Sequence, residues 1–140
     1  MYENLMCVTH YGPAGVDFGT GGSADAISFR GPKGMKGILL DVGVANITEA
    51  FAGTTTDGQV QVGTDADNDA NALLNVATGA NSAIGDTFNT SNDTDALIDV
   101  ELDADTQYEI TCVVGTGGTP AGIGTPYVVV GWYGSVPQPQ

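Results

Sequence analysis

Apolar residues recur at every second position through much of this chain, the spacing that gathers them on one face of a β-strand. In KGILLDVGVANI, Ile38, Leu40, Val42 and Val44 share one face, and Leu39, Asp41, Gly43 and Ala45 the other. In LIDVELD, Ile98, Val100 and Leu102 point one way and Asp99, Glu101 and Asp103 the other. In QYEITCVV, Tyr108, Ile110, Cys112 and Val114 alternate with Gln107, Glu109 and Thr111, and QVQVG turns Val60 and Val62 inward. PYVVVGWYG is apolar on both faces, which predicts a central strand or one whose outer side meets a neighbouring subunit. Weaker strand patterns occupy Leu5–Thr9, Ala26–Arg30, Glu49–Gly53 and Ile84–Asn89.

Turn sequences punctuate these runs: GPAG, GTGGSAD, RGPKG, TTTDGQ and TGGTPAG. Eight or nine short strands so divided predict an all-β chain, an antiparallel β-sandwich or a jelly roll. At most one short helix is expected, in DADNDANALLNVATG, with Asp67 or Asp69 as its cap, Leu73, Val76 and Ala77 on its inner side and Gly79 at its end. Residues 1–134 form one domain in this reading. The last six, SVPQPQ, form a tail without core residues. A chain of 140 residues is long enough to bury a core without covalent staples.

Composition sharpens the picture. Glycine accounts for 21 residues, and strong helix formers other than alanine are scarce. Seventeen acidic residues face three basic ones, a formal net charge of −14. Such a surface repels phosphate backbones and anionic lipid heads, so neither nucleic acid nor a membrane is an expected partner. No apolar run reaches the ~20 residues of a membrane helix. The N-terminal segment has neither the basic nor the apolar region of a signal peptide, so synthesis in the cytoplasm is expected. The sequons at Asn46, Asn89 and Asn92 would matter only in a secreted chain. The three bases, Arg30, Lys33 and Lys36, all fall in FRGPKGMK, the one positive spot on the chain.

Candidate chemistry is thin. One histidine, His10, cannot build a histidine metal site or a catalytic dyad by itself, and neither HExxH nor GxSxG occurs. A surface or strand-end position is expected for it. GTGGT at 115–119 lacks the helix and lysine of a phosphate cradle, so a turn is expected. Asp65, Asp67 and Asp69 have the odd spacing of a calcium loop, but Ala70 stands where glycine is wanted and Val76 where glutamate is wanted. A solvated acidic turn is the better reading. Asp99, Glu101 and Asp103 read as the wet side of a strand rather than paired catalytic carboxylates. Cys7 and Cys112 sit in apolar strand patterns, which favours two buried thiols, with a disulfide between them left open. No enzyme, cofactor or metal is expected.

The stretch KGMKGILLDVGVANITEAFAGTTTDGQVQVGTDADNDA resembles the small jelly-roll head proteins of tailed bacteriophages, often those of marine hosts. The shared features are a basic, glycine-containing start, a DVGVA strand, a T-E-x-F turn and a Q-V-x-V-G-T strand before an aspartate-rich turn. The VVVGWYG close belongs with them, and the likeness runs from about Arg30 to Gly134. It implies an antiparallel β-sandwich of jelly-roll type and a capsid cement, or decoration, protein: a homotrimer on the outer surface of the virion, bound to the major capsid protein. It carries no signature residue onto this chain. From the residues themselves, Arg30, Lys33 and Lys36 are candidates for contact with an acidic partner. Tyr127, Val129 and Tyr133 are candidates for an oligomer interface, because they would otherwise leave an apolar stripe wet. The rival reading is a glycan- or receptor-binding β-sandwich. Such modules present exposed aromatics, and the single tryptophan, Trp132, instead lies in the most apolar strand.

Overall fold

Ten β-strands make up the described part of the chain: β1 (Met6–Tyr11), β2 (Val16–Asp17), β3 (Ala24–Phe29), β4 (Lys36–Ala52), β5 (Gln59–Thr64), β6 (Asp69–Ala77), β7 (Phe88–Asn89), β8 (Val100–Leu102), β9 (Tyr108–Val113) and β10 (Ala121–Tyr133). This computed structural model describes residues 5–19, 24–53, 55–64, 69–77, 83–89, 100–103 and 106–134. The strands form two antiparallel sheets packed face to face. The first runs β1-β10-β4-β7, with β2 also beside β10 and β8 beside β4; the second runs β3-β9-β5-β6.

The core fills the space between the sheets. Leu39, Val42, Val44, Ile47, Phe51, Leu102, Val128, Val130 and Trp132 come from the first sheet, and Phe29, Val60, Val62, Tyr108, Ile110 and Cys112 from the second. Phe18 and Met35 close it from connecting segments. Each fully buried aliphatic side chain contributes about 1.5–3 kcal/mol relative to exposure. The polar side of β9 is also covered: Glu109 and Thr111 are buried on the face turned away from this core.

Two features follow from backbone chemistry. Pro126 sits inside the longest strand pairing, yet no ladder bond is lost, because its nitrogen lies opposite Gly12, just past the end of β1. In the connection from β3 to β4, the Met35 N–H donates to the Pro32 carbonyl at 3.1 Å, and Gly34 takes the positive φ of 82° that closes this tight turn.

The structure corrects several expectations. Asp69–Ala77 is a strand, not a helix: β6 pairs with β5 from Gln59↔Ala77 to Thr64↔Asp69. Nine residues rich in Asn, Asp and Ala make a marginal helix, whereas the edge of β5 offers a ladder of backbone hydrogen bonds. The alternation of β4 breaks at Leu40. Its register against β10 slips between Val129↔Asp41 and Val130↔Leu39, so Leu40 is the extra residue of a bulge. Leu39 therefore joins Val42 and Val44 in the core, while Ile38 and Leu40 take the outer side. Ile84 lies in an exposed turn, and only Phe88–Asn89 of its segment is strand. Cys7 is exposed and Cys112 buried, and both are free, which closes the question of a bridge between them. Burial pushes the Cys112 thiol up to about 12. Asp65, Asp67, Ile98, Asp99 and the tail 135–140 lie outside the described residues.

His10 stands next to the last residue of β1, the strand-end position expected, and is half-buried rather than free at the surface. Its ring stacks on Phe29 of the opposite sheet, with centroids 5.0 Å apart and planes at 25°, and Phe29 stacks in turn on Tyr108 at 5.7 Å. Its Nε2 is buried without a hydrogen-bond partner. Desolvation lowers its pKa below the ordinary 6.5. The unfolded chain therefore takes up a proton near pH 6.5 that the folded chain refuses until lower pH, so stability falls as pH drops through that window. Thermal melts at pH 7 and pH 5 should show a larger loss for the wild type than for His10→Phe. Equal losses in the two proteins would remove His10 from the account.

Candidate functional site: the outer face of the first sheet

Strand alternation gives the first sheet a second apolar face, turned away from the core. On β10 this face carries Tyr127, Val129, Gly131 and Tyr133, since Val128, Val130 and Trp132 point inward. Beside them β1 contributes Cys7, Thr9 and Tyr11, and β4 contributes Lys36, Ile38 and Asp41. A Cβ on Gly131 would fall 2.7 Å from Leu5, 3.2 Å from Leu40 and 3.3 Å from Ile38. These three side chains thus lie over the glycine as an apolar cluster, with Leu5 46% exposed.

All three candidate interface residues lie on this face. Tyr127 is covered, and its hydroxyl donates to Asp41 Oδ2 at 2.9 Å, so the hydroxyl is fixed in the sheet. Val129 and Tyr133 are half-buried. Tyr11 tilts against Tyr127 at 6.2 Å between centroids and keeps 63% of its surface in solvent. Leu5, Leu40, Val129 and Tyr11 give this face a partly open apolar band, in which Val129 stands between Thr9 and Asp41.

Arg30 and Lys33 sit on the connection from β3 to β4 and Lys36 opens β4, and all three are exposed. The structure divides them. Lys36 opposes Tyr133 across the β4–β10 ladder and holds Glu101 of β8 at 3.0 Å. The hydrogen bond and charge of Glu101 raise its pKa. Lys36 thus borders the apolar face but already has an anionic partner. Arg30 lines a shallow surface cleft with Ser28, Phe29 and Gln107. Lys33 lies in the tight turn. Only Lys36 of this group meets the outer face, through Tyr133.

Sequence reasoning missed Leu5, Leu40 and Tyr11 as parts of this face. The Leu40 bulge was invisible to strict alternation, and Leu5 and Tyr11 count only once β1 is known to lie beside β10. Trp132 is 1% exposed and belongs to the core. Among the described residues, no group of three or more His, Cys, Asp or Glu side chains comes together as a metal site would. Comparison with protein-family models, with curated proteins and with solved structures finds no match.

Proposed function

We propose that this protein is a capsid cement protein, which seats on an assembled phage head and bridges major capsid protein subunits from outside. The observation that carries the reading is the open apolar band on the first sheet of an otherwise anionic domain. A face of this kind is where an oligomer or a shell contact forms, because apolar area left wet favours association. The strand orders add support. With β7 and β8 counted as one strand and β2 set aside, the orders β1-β10-β4-β7 and β3-β9-β5-β6 favour the jelly-roll reading, an arrangement used by viral capsid and lectin domains. Because a fold does not fix a function, the site and the resemblance to phage head proteins bear more of the weight.

The mechanism is bridging. A homotrimer joined through the band around Val129 and Tyr133 would touch several capsid subunits at once, and many weak contacts sum to strong attachment. Arg30 and Lys33 are the cations that would meet acidic capsid groups, with Lys36 held by Glu101. Since only the closed lattice presents the whole site, binding stabilises that lattice by linkage. The charge of −14 suits an outer surface away from packaged genome.

Stripped and decorated heads should differ: adding the protein back to stripped heads should raise the temperature at which they release DNA. Equal release temperatures would overturn cementing. A glycan- or receptor-binding role for the same domain would then be favoured by Tyr11, an aromatic 63% exposed.

A further inference from the structure

We propose that β1 is a self-pairing edge, through which two copies of the chain join antiparallel about a two-fold axis at Thr9. The hydrogen bonds of β1 fix which of its backbone groups face outward. The Gly12 N–H donates to the Pro126 carbonyl at 2.8 Å, and the register is unbroken from Met6↔Trp132 to Tyr11↔Tyr127. In an antiparallel ladder, pairs that exchange hydrogen bonds alternate with pairs that do not. His10, Val8 and Met6 therefore bond to β10, while Cys7, Thr9 and Tyr11 turn their N–H and C=O groups to the other side, where no strand pairs with β1 among the described residues. All three of those residues are exposed.

Exposed edges are normally guarded by charge, proline or a bulge. This edge has none of them: residues 5–12 contain no Asp, Glu, Lys, Arg or Pro, and the pairing with β10 has no slip. Three of the four large, exposed apolar residues among the described ones, Leu5, Met6 and Tyr11, lie on or next to it. The occupant follows from charge. Two copies carrying −14 each repel one another, so they approach closely only through a surface free of charge on both sides. A neutral edge that meets itself satisfies that condition twice. Within β1, the register centred on Thr9 pairs all three open residues with all three: Cys7 opposite Tyr11 of the second copy, and Thr9 opposite Thr9. This edge borders the band around Val129 and shares Leu5 and Tyr11 with it, but it joins through backbone groups in the plane of the sheet rather than through the outer face. On the trimer proposed above, each protomer would keep one such edge, and pairing would join neighbouring trimers across the shell.

Cross-linking tests the register directly. Residues opposite one another in a hydrogen-bonded antiparallel pair have Cα atoms about 5.5 Å apart, within disulfide reach. The Cys7→Ser, Thr9→Cys variant should form a disulfide-linked dimer under mild oxidation at micromolar concentration. The wild type should not, because its two Cys7 residues would stand about 13 Å apart along the strand. Thr9→Pro removes only an outward N–H, so it should keep the fold and abolish self-pairing in light scattering. Absence of the cross-linked dimer, or a Thr9→Pro protein that is folded and still pairs, overturns the proposal. Leu40→Lys, in the band but on the far side of β10 from β1, should leave the Thr9 cross-link intact. Failure of the edge is thereby distinguished from failure of the capsid reading, which release from stripped heads tests separately.

Discussion

Replacing Trp132 by alanine is expected to remove about 3–5 kcal/mol of unfolding free energy, the range for a large aromatic truncated in a core. The environment argues for the upper part of that range. Trp132 is 1% exposed, and its ring is bracketed by two glycines: a Cβ on Gly31 would fall 2.2 Å from it and one on Gly37 2.5 Å away. Positions without side chains cannot reach into the space the indole leaves, so the cavity stays open. Total stabilities of domains this size are about 5–15 kcal/mol, so the variant stands close to unfolding. Urea titration should show a lower midpoint at an unchanged slope. A loss below about 1 kcal/mol would mean that the indole does not fill the core as described.

Val129→Lys is expected to leave the fold intact and to weaken self-association through the first sheet at least a hundredfold, equivalent to about 2.8 kcal/mol at 1.4 kcal/mol per tenfold. Val129 faces outward and opposes Asp41, which gives a lysine there a carboxylate to meet on its own sheet. No core contact is lost, so the unfolding midpoint should hardly move. Across an interface the same ammonium must shed water, and Asp41, which already accepts from the Tyr127 hydroxyl, offsets only part of that cost. Sedimentation of both proteins over a concentration series reads the difference. If Val129→Lys assembles as the wild type does, the band around Val129 is not the contact surface.

How much of this could be read from the chain depends on the physics of each segment. The period-two runs of β9 and β10 were legible because both faces of each strand meet a consistent environment, and that same parity put Tyr127, Val129 and Tyr133 on one side. The bulge at Leu40 was not legible, since one inserted residue reverses the phase and alternation has no term for it. In β6, alanine and asparagine are compatible with either period, and the hydrogen bonds offered by β5 decided the matter. The first part of β10, AGIGT, was missed because its small residues carry no hydrophobic signal. The candidate face was therefore half visible. Its members on one strand followed from spacing, whereas Leu5 and Tyr11 belong to it through a pairing between the two ends of the chain. The Lys36–Glu101 pair, 65 positions apart in sequence, likewise needed the β4–β8 ladder to be known.

The pairing of Met6 with Trp132 has a mechanical consequence. Both ends of the β1–β10 ladder that lead toward the chain termini leave the sandwich at the same side. Tension applied between the termini would thus peel β1 from β10 one hydrogen-bonded pair at a time. Tension applied across the sheet would instead have to shear a whole row of bonds together. The domain is weak as a tether pulled by its ends and strong as a plate pressed or stretched through its faces. A passenger fused to either terminus would hang from the weak direction, while a swelling shell gripped by the face would pull along the strong one.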